Sequence, residues 1–253
     1  MFEMKMIDKV CIECGKRYQG FENTRDGICN ECENIKIKKE KDIQNKRFVE
    51  ETASTIFPKR FKDCSFDNYV IKNDDQQKAF NKVCEYIKNS DIKKSGNNLI
   101  LSGSIGTGKT HLAIAAIRYT IEHGEKIDHE LDYSKYANPY YFKYCTISEI
   151  ITDARFAMSY GGDKSSLTQY YDYKWLIIDE IGRQTGSDNE QNILFEVLNK
   201  RYNNILPTIL ITNETGDSLK KYLGTALIDR MIETGSVFVN MEWVSYRGRH
   251  GKA

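Results

Sequence analysis

The chain has 253 residues, 40% hydrophobic and 29% charged, which is enough apolar material for a packed core and argues against wholesale disorder. Its 37 Lys and Arg nearly cancel its 36 Asp and Glu, so net charge predicts no polyanionic partner and any nucleic-acid surface has to be local. No apolar run approaches the ~18 residues of a membrane span, the opening MFEMKMIDKV lacks the apolar stretch of a secretory signal, and 3 prolines with 17 glycines exclude collagen-like and Pro-rich classes.

Four of the seven cysteines form Cys11-x-x-Cys14 and Cys29-x-x-Cys32. This spacing suits a metal better than a disulfide framework and fits a reducing, cytoplasmic setting. Four thiolates in two turn-like knuckles match tetrahedral Zn²⁺. Residues 1–32 carry few large apolar side chains, so a metal would contribute folding free energy that the unit otherwise lacks. Four sulfur ligands leave no open position, which predicts a structural zinc; free thiols or a redox pair are the alternatives. Cys64, Cys84 and Cys145 read as small buried apolar residues.

Residues 33–62 read as a charged helical linker with sparse apolar positions at Ile35, Ile43 and Phe48. From Glu33 to Lys62 nine basic residues face five acidic ones. That describes either an ordinary solvated face or an arm that contacts DNA or a partner.

From about residue 63 the pattern turns α/β and continues to residue 253. A helix is predicted over 74–89, with Ala79, Phe80, Val83 and Ile87 on one face, and a short buried strand over 98–102. A helix over 109–122 turns Leu112, Ala115, Ala116 and Tyr119 inward. A strand over 140–145, a helix over 148–158, a strand over 174–179 and a helix over 188–203 follow, then strands over 207–212 and 236–240. Strands alternating with helices predict a five-stranded parallel sheet covered on both faces.

The run Gly103-Ser104-Ile105-Gly106-Thr107-Gly108-Lys109-Thr110 matches G-x-x-x-x-G-K-[ST] in full, between a predicted strand and a predicted helix. Glycines let successive N–H groups turn toward phosphate oxygens, and the helix N-terminus favours the same anion. Lys109 supplies a point charge for the β- and γ-phosphates of ATP, and Thr110 a hydroxyl for Mg²⁺. About 70 residues on, Trp175-Leu-Ile-Ile-Asp179-Glu180 ends an apolar strand in two acids. Ligands bind at that edge of a parallel sheet. Asp179 is expected in the Mg²⁺ shell, and Glu180 is expected to orient and deprotonate an attacking water. Asn213 ends the strand over 207–212, where it either caps a turn or touches the γ-phosphate or the water.

The runs Gly106-Thr-Gly-Lys-Thr-His-Leu-Ala113, Ile177-Ile-Asp-Glu-Ile-Gly182 and Leu223-Gly-Thr-Ala-Leu-Ile-Asp-Arg-Met231 resemble the AAA+ P-loop ATPases that load replicative helicases, the DnaC/DnaI type. Cys64-Ser-Phe-Asp-Asn-Tyr69 and Trp243-Val-Ser-Tyr-Arg247 also resemble that family, and the likeness spans roughly residues 61–249. The phosphate motifs are shared with AAA+ relatives such as the transposition ATPase IstB. By itself Arg230 reads as a helix-surface salt-bridge residue; the resemblance implies an arginine finger that reaches the nucleotide of a neighbouring subunit, and hence self-association. Arg201 is a weaker candidate for a subunit contact. Arg155, Phe156 and Tyr160 fall where the resemblance implies a grip on single-stranded DNA, with core aromatics and one surface arginine as the alternative. The DnaI type carries an amino-terminal zinc unit and holds the helicase with that end, which implies a DnaB-type partner for residues 1–57. Only 13 residues follow the last predicted strand, too few for a full helical lid, and Arg247 or Arg249 would have to stand in for a lid arginine. The segment 124–139 is longer than the family's usual connection and has no predicted role.

The reading is therefore an ATP-dependent loader of a replicative helicase onto single-stranded DNA. The alternatives are an IstB-like transposition ATPase and a nucleotide-switched adaptor without hydrolysis. The intact Asp179–Glu180 pair and Arg230 weigh against the adaptor.

Overall fold

A computed structural model describes residues 5–21, 27–89, 92–124, 126–127, 130–131, 141–159, 161–182 and 188–246. The chain divides into two compact units, Met1–Glu50 and Glu51–Ala253.

In the first unit β1 (Met6–Val10) and β2 (Arg17–Phe21) pair antiparallel, with Met6 opposite Phe21 and Val10 opposite Arg17. Gly15 makes the turn between them at φ +72°, where a side chain would be strained. Helix α1 (Asn30–Ile56) begins in this unit with Glu31 and Glu33 in its first turn, where acids suit the helix dipole, and it crosses the division at Glu50. Ile35, Ile37 and Ile43 are exposed, as a solvated linker helix requires.

The second unit opens with α2 (Asp74–Lys88), whose N-terminus is capped by the Asn73 side chain accepting from Gln76 N–H at 2.9 Å. One turn of helix, α3 (Ile92–Ser95), leads to β3 (Leu99–Ser102), followed by α4 (Lys109–Glu122). The short strands β4 (Lys126–Ile127) and β5 (Glu130–Leu131) pair antiparallel, within the segment for which no role was predicted; the rest of 125–140 lies outside the described residues. Then come β6 (Phe142–Thr146), α5 (Ile147–Met158), α6 (Ser165–Thr168), β7 (Trp175–Ile181) and α7 (Asp188–Asn203). The chain closes with β8 (Thr208–Thr212), α8 (Gly216–Leu223), α9 (Thr225–Glu233) and β9 (Val237–Asn240).

Five strands form one parallel sheet in the order β6-β7-β8-β3-β9, as expected of the AAA+ class. All residues of β3 and β8 are buried, because helices cover both faces of the sheet. On one face α4 packs against β3, β7 and β8, and α2 packs against α4 and β9. On the other, Ile100, Ile178 and Leu210 join Ile150 and Ile151 of α5, Leu194 and Val197 of α7, and Leu227 and Met231 of α9 in one core cluster. Tyr119, expected inward, is half-buried and stacks on His123. Helix α5 starts a residue before the predicted helix because Thr146 and Glu149 close a capping box directly at the end of β6.

Arg201 corrects an expectation. It is 1% exposed, so it is no subunit contact. Its Nε donates to Thr208 Oγ1 at 2.8 Å, Nη1 to the carbonyls of Tyr170 and Tyr173 at 3.0 and 2.7 Å, and Nη2 to the carbonyl of Pro207 at 2.8 Å. The backbones entering β7 and β8 present carbonyls there, and the five-donor guanidinium takes them. Of the three scattered cysteines only Cys145 is buried; Cys64 and Cys84 are half-buried.

Candidate functional site

The glycine loop lies between the C-terminal end of β3 and the first residue of α4. Gly103, Gly106 and Gly108 all have left-handed φ values, +127°, +78° and +94°. A Cβ on Gly108 would meet the Tyr69 ring at 2.9 Å, and one on Gly106 would run into Ser245. The loop is clasped from two distant stretches of the chain. Tyr69 O–H and Trp243 Nε1–H reach the Thr107 carbonyl at 3.5 and 3.1 Å, and Tyr246 N–H donates to the Gly106 carbonyl at 2.9 Å. With those carbonyls engaged from outside, the loop has N–H groups to offer an anion. Lys109 is buried, and its Nζ donates to the carbonyls of Gly103 and Ser104 at 2.7 and 2.6 Å, which folds the ammonium back over the loop.

Asp179 and Glu180 stand at an irregularity in β7. The pairing with β8 slips between Ile178 and Ile181, and Glu180 has φ +62°. A bulge of this kind re-aims side chains at a sheet edge. Asp179 Oδ2 accepts from Thr110 Oγ1 at 2.9 Å and from Tyr144 O–H at 2.8 Å, while Oδ1 accepts from the Glu180 N–H at 2.7 Å. Burial, and then the Asp179 charge, push the Tyr144 phenol well above its usual range, so it stays protonated and donates. Burial holds His111, on α4, below its usual value, and its Nε2 lies 2.9 Å from the Ser65 carbonyl.

These groups open on a cleft of about 640 Å³. Ile105 to Thr110, Asp179, Glu180 and Asn213 line it together; Gly103 and Ser104 contribute through the carbonyls that hold Lys109. The remaining wall is largely aromatic and apolar, with Phe61, Tyr69, Val70, Trp243 and Tyr246. Thr110 and Asp179 already face each other, which is the donor pair a nucleotide-bound Mg²⁺ would use. The loop geometry, the buried ammonium and the paired acids fit a nucleoside triphosphate with Mg²⁺.

Arg230 does not line this cleft. It is half-buried on α9, and its guanidinium lies 5.9 Å from the Phe195 ring and 5.4 Å from the Tyr202 ring of α7, with Nη1 donating to Asn199 Oδ1. Arg155 and Phe156 are exposed near the end of α5, and Arg155 Nη2 lies 3.9 Å from Glu190 Oε1. Tyr160, Arg247 and Arg249 lie outside the described residues. Several lining residues, Phe61, Val70, Gln76 and Tyr144 among them, belong to no motif that the sequence singles out. Arg60, another lining residue, appeared only as part of a charge run.

In the first unit the sulfurs of Cys11, Cys14, Cys29 and Cys32 all lie within 4.8 Å of one another. Tetrahedral zinc with Zn–S bonds of about 2.3 Å requires sulfurs roughly 3.8 Å apart, so the four thiols fit such an ion. The Cys29 N–H donates to Cys11 Sγ at 3.3 Å, and that bond leads the causes that lower the Cys11 thiol to about 6, in favour of the thiolate a metal needs. A side-chain hydrogen bond with Cys14, and then burial, push the Cys32 thiol up.

A glycine loop joining β3 to a helix, with an acid pair at the end of β7 and β8 lying between the two strands in the β6-β7-β8-β3-β9 sheet, defines a P-loop fold of the AAA+ class. The chain belongs to the IstB-like ATP binding protein family, which it matches over residues 28–253. It is similar to the replicative helicase loader DnaC of Escherichia coli (strain K12), with 30% identity over 190 residues, 74% of this chain and 70% of that protein. Its fold is that of a solved DnaC helicase loader, at TM-score 0.60 and 23% identity over 73% of this chain and 99% of the other. It is likewise that of a solved DnaI, at TM-score 0.57 and 16% identity over 77% and 98%. No helix among the described residues is long and apolar enough to cross a membrane.

Proposed function

We propose that the protein is an ATP-hydrolysing loader that delivers a replicative helicase of the DnaB type to single-stranded DNA. The observation that carries this is the convergence of Lys109, Thr110, Asp179 and Glu180 on one cleft, in a chain similar to DnaC over 74% of its length. The aromatic wall of the cleft suits a flat base, and the loop suits its phosphates.

Thr110 and Asp179 would hold Mg²⁺, which when bound neutralises charge on the β- and γ-phosphate oxygens. Lys109 adds its positive charge beside the loop. Glu180 takes the proton of the attacking water, and Asn213 orients that water or the γ-phosphate. Arg230 of one protomer serves the nucleotide of its neighbour, which makes the oligomer the active form. Arg155 and Phe156, with Tyr160, contact phosphates and bases of the strand. Cys11, Cys14, Cys29 and Cys32 hold a structural zinc, and residues 1–57 hold the helicase. Hydrolysis, stimulated by DNA and partner, releases the loader.

Two measurements test the reading together. Purified protein with ATP, Mg²⁺ and single-stranded DNA should release phosphate. A pull-down with the cognate replicative helicase should retain the full chain and lose one beginning near Pro58. Absence of both activities would overturn it. The family match favours one alternative, an ATPase that presents target DNA to a transposase. Preference for duplex DNA and indifference to the helicase would select that alternative.

A further inference from the structure

The Asp179 carboxylate is held from a strand that no motif of the sequence singles out. β6 runs in register beside β7, with Thr146 opposite Asp179 and Tyr144 opposite Ile177. Tyr144 and Thr146 share a face of β6, and the length of the phenol carries its hydroxyl two positions along to Asp179. The hydroxyl donates to Oδ2 at 2.8 Å, the same oxygen that receives Thr110 Oγ1 at 2.9 Å. Tyr144 also lines the cleft beside Thr110 and Glu180.

We propose that Tyr144 is a positioning residue whose hydroxyl holds Asp179 ready for the divalent metal that accompanies the nucleotide, and so sets the metal affinity of the site. The proposal rests on the nucleotide-binding reading above. Its physical basis is the number of donors on one carboxylate. Asp179 has three: Thr110, Tyr144 and the Glu180 N–H. Thr110 is expected to turn its hydroxyl oxygen to the metal when nucleotide enters, which weakens its hold on Asp179. Tyr144 and the Glu180 N–H then keep the carboxylate in place. The N–H grips Oδ1, so Tyr144 governs the oxygen shared with Thr110. A pre-set carboxylate loses less freedom on binding a cation than one that must first be ordered.

Full-length wild type and Tyr144→Phe are titrated with Mg²⁺ at a fixed concentration of a fluorescent ADP analogue, and separately with the analogue in excess EDTA. The substitution keeps the ring and deletes the hydroxyl alone. The half-saturating Mg²⁺ concentration should rise about three- to tenfold, in line with the net worth of one hydrogen bond, while affinity in EDTA stays unchanged. An unmoved Mg²⁺ midpoint in Tyr144→Phe, beside a metal-dependent wild type, would overturn this proposal alone. Equal losses with and without metal would also overturn it, because the hydroxyl would then only support the packing of the cleft. A wild type that binds no nucleotide would overturn the nucleotide-binding reading and this proposal with it.

Discussion

Glu180 occupies φ +62°, a conformation that L side chains adopt at a cost of about 1–3 kcal/mol. A glycine or asparagine would sit there with less strain, so the carboxylate itself is the reason for the residue. Glu180→Gln preserves shape and backbone but removes the base. Turnover should fall by about 10²–10⁴-fold with ATP binding intact; phosphate release and nucleotide titration on one preparation check this, and normal turnover would remove Glu180 from the mechanism. Gly108→Ala tests the loop. It combines a φ of +94° with a Cβ 2.9 Å from the Tyr69 ring, and nucleotide affinity should drop about five- to thirtyfold, as about 1–2 kcal/mol of left-handed strain implies. Arg201→Met leaves four buried acceptors of the guanidinium unsatisfied and should cost about 3 kcal/mol or more in urea denaturation. The sequence marked Gly103–Thr110 and Asp179–Glu180 because their chemistry is local to short motifs. It placed Arg201 at a subunit contact and left Tyr144 unmarked because their partners come from distant elements, more than 25 residues away for the Tyr170 and Tyr173 carbonyls and for Asp179. Nothing in a run of β-compatible residues says which side chain crosses to a neighbour.

Among the elements, the five strands were legible because each is a short apolar run whose flanks carry turn or cap residues, and the phosphate loop fixes which strand precedes it. Helices α8 and α9 were harder to place. They are 8 and 9 residues long, and their junction is a single glycine, Gly224, at φ +81°. Helix α9 presents Arg230 through α7. Phe195 and Tyr202 flank the guanidinium and Asn199 accepts from it, so the arginine is braced by its own protomer. A braced guanidinium has less rotamer freedom to lose on meeting a second subunit. Arg230→Ala should lower DNA-stimulated ATPase activity by about 10³-fold without loss of nucleotide affinity. Mixing it with Lys109→Ala protein should restore some activity, since each variant supplies what the other lacks. No recovery on mixing would mean that Arg230 acts within its own chain, as a tie between α9 and α7.

At the scale of the molecule, the two units depend on different sources of stability. The first has a two-stranded hairpin, which is marginal by itself, and four sulfurs within 4.8 Å. The second has a sheet buried on both faces. A zinc chelator should therefore abolish retention by the helicase while nucleotide titration of the same sample stays unchanged; simultaneous loss of both would show that one metal sustains the whole chain. The clasped phosphate loop has a further consequence. Tyr69 and Trp243, 174 positions apart in the chain, converge on the Thr107 carbonyl. A ligand seated in that loop fastens the beginning and the end of the second unit at once. Occupancy should then be felt as heat tolerance and protease resistance throughout residues 51–253, worth about 2.7 kcal/mol when ligand stands a hundredfold above its Kd.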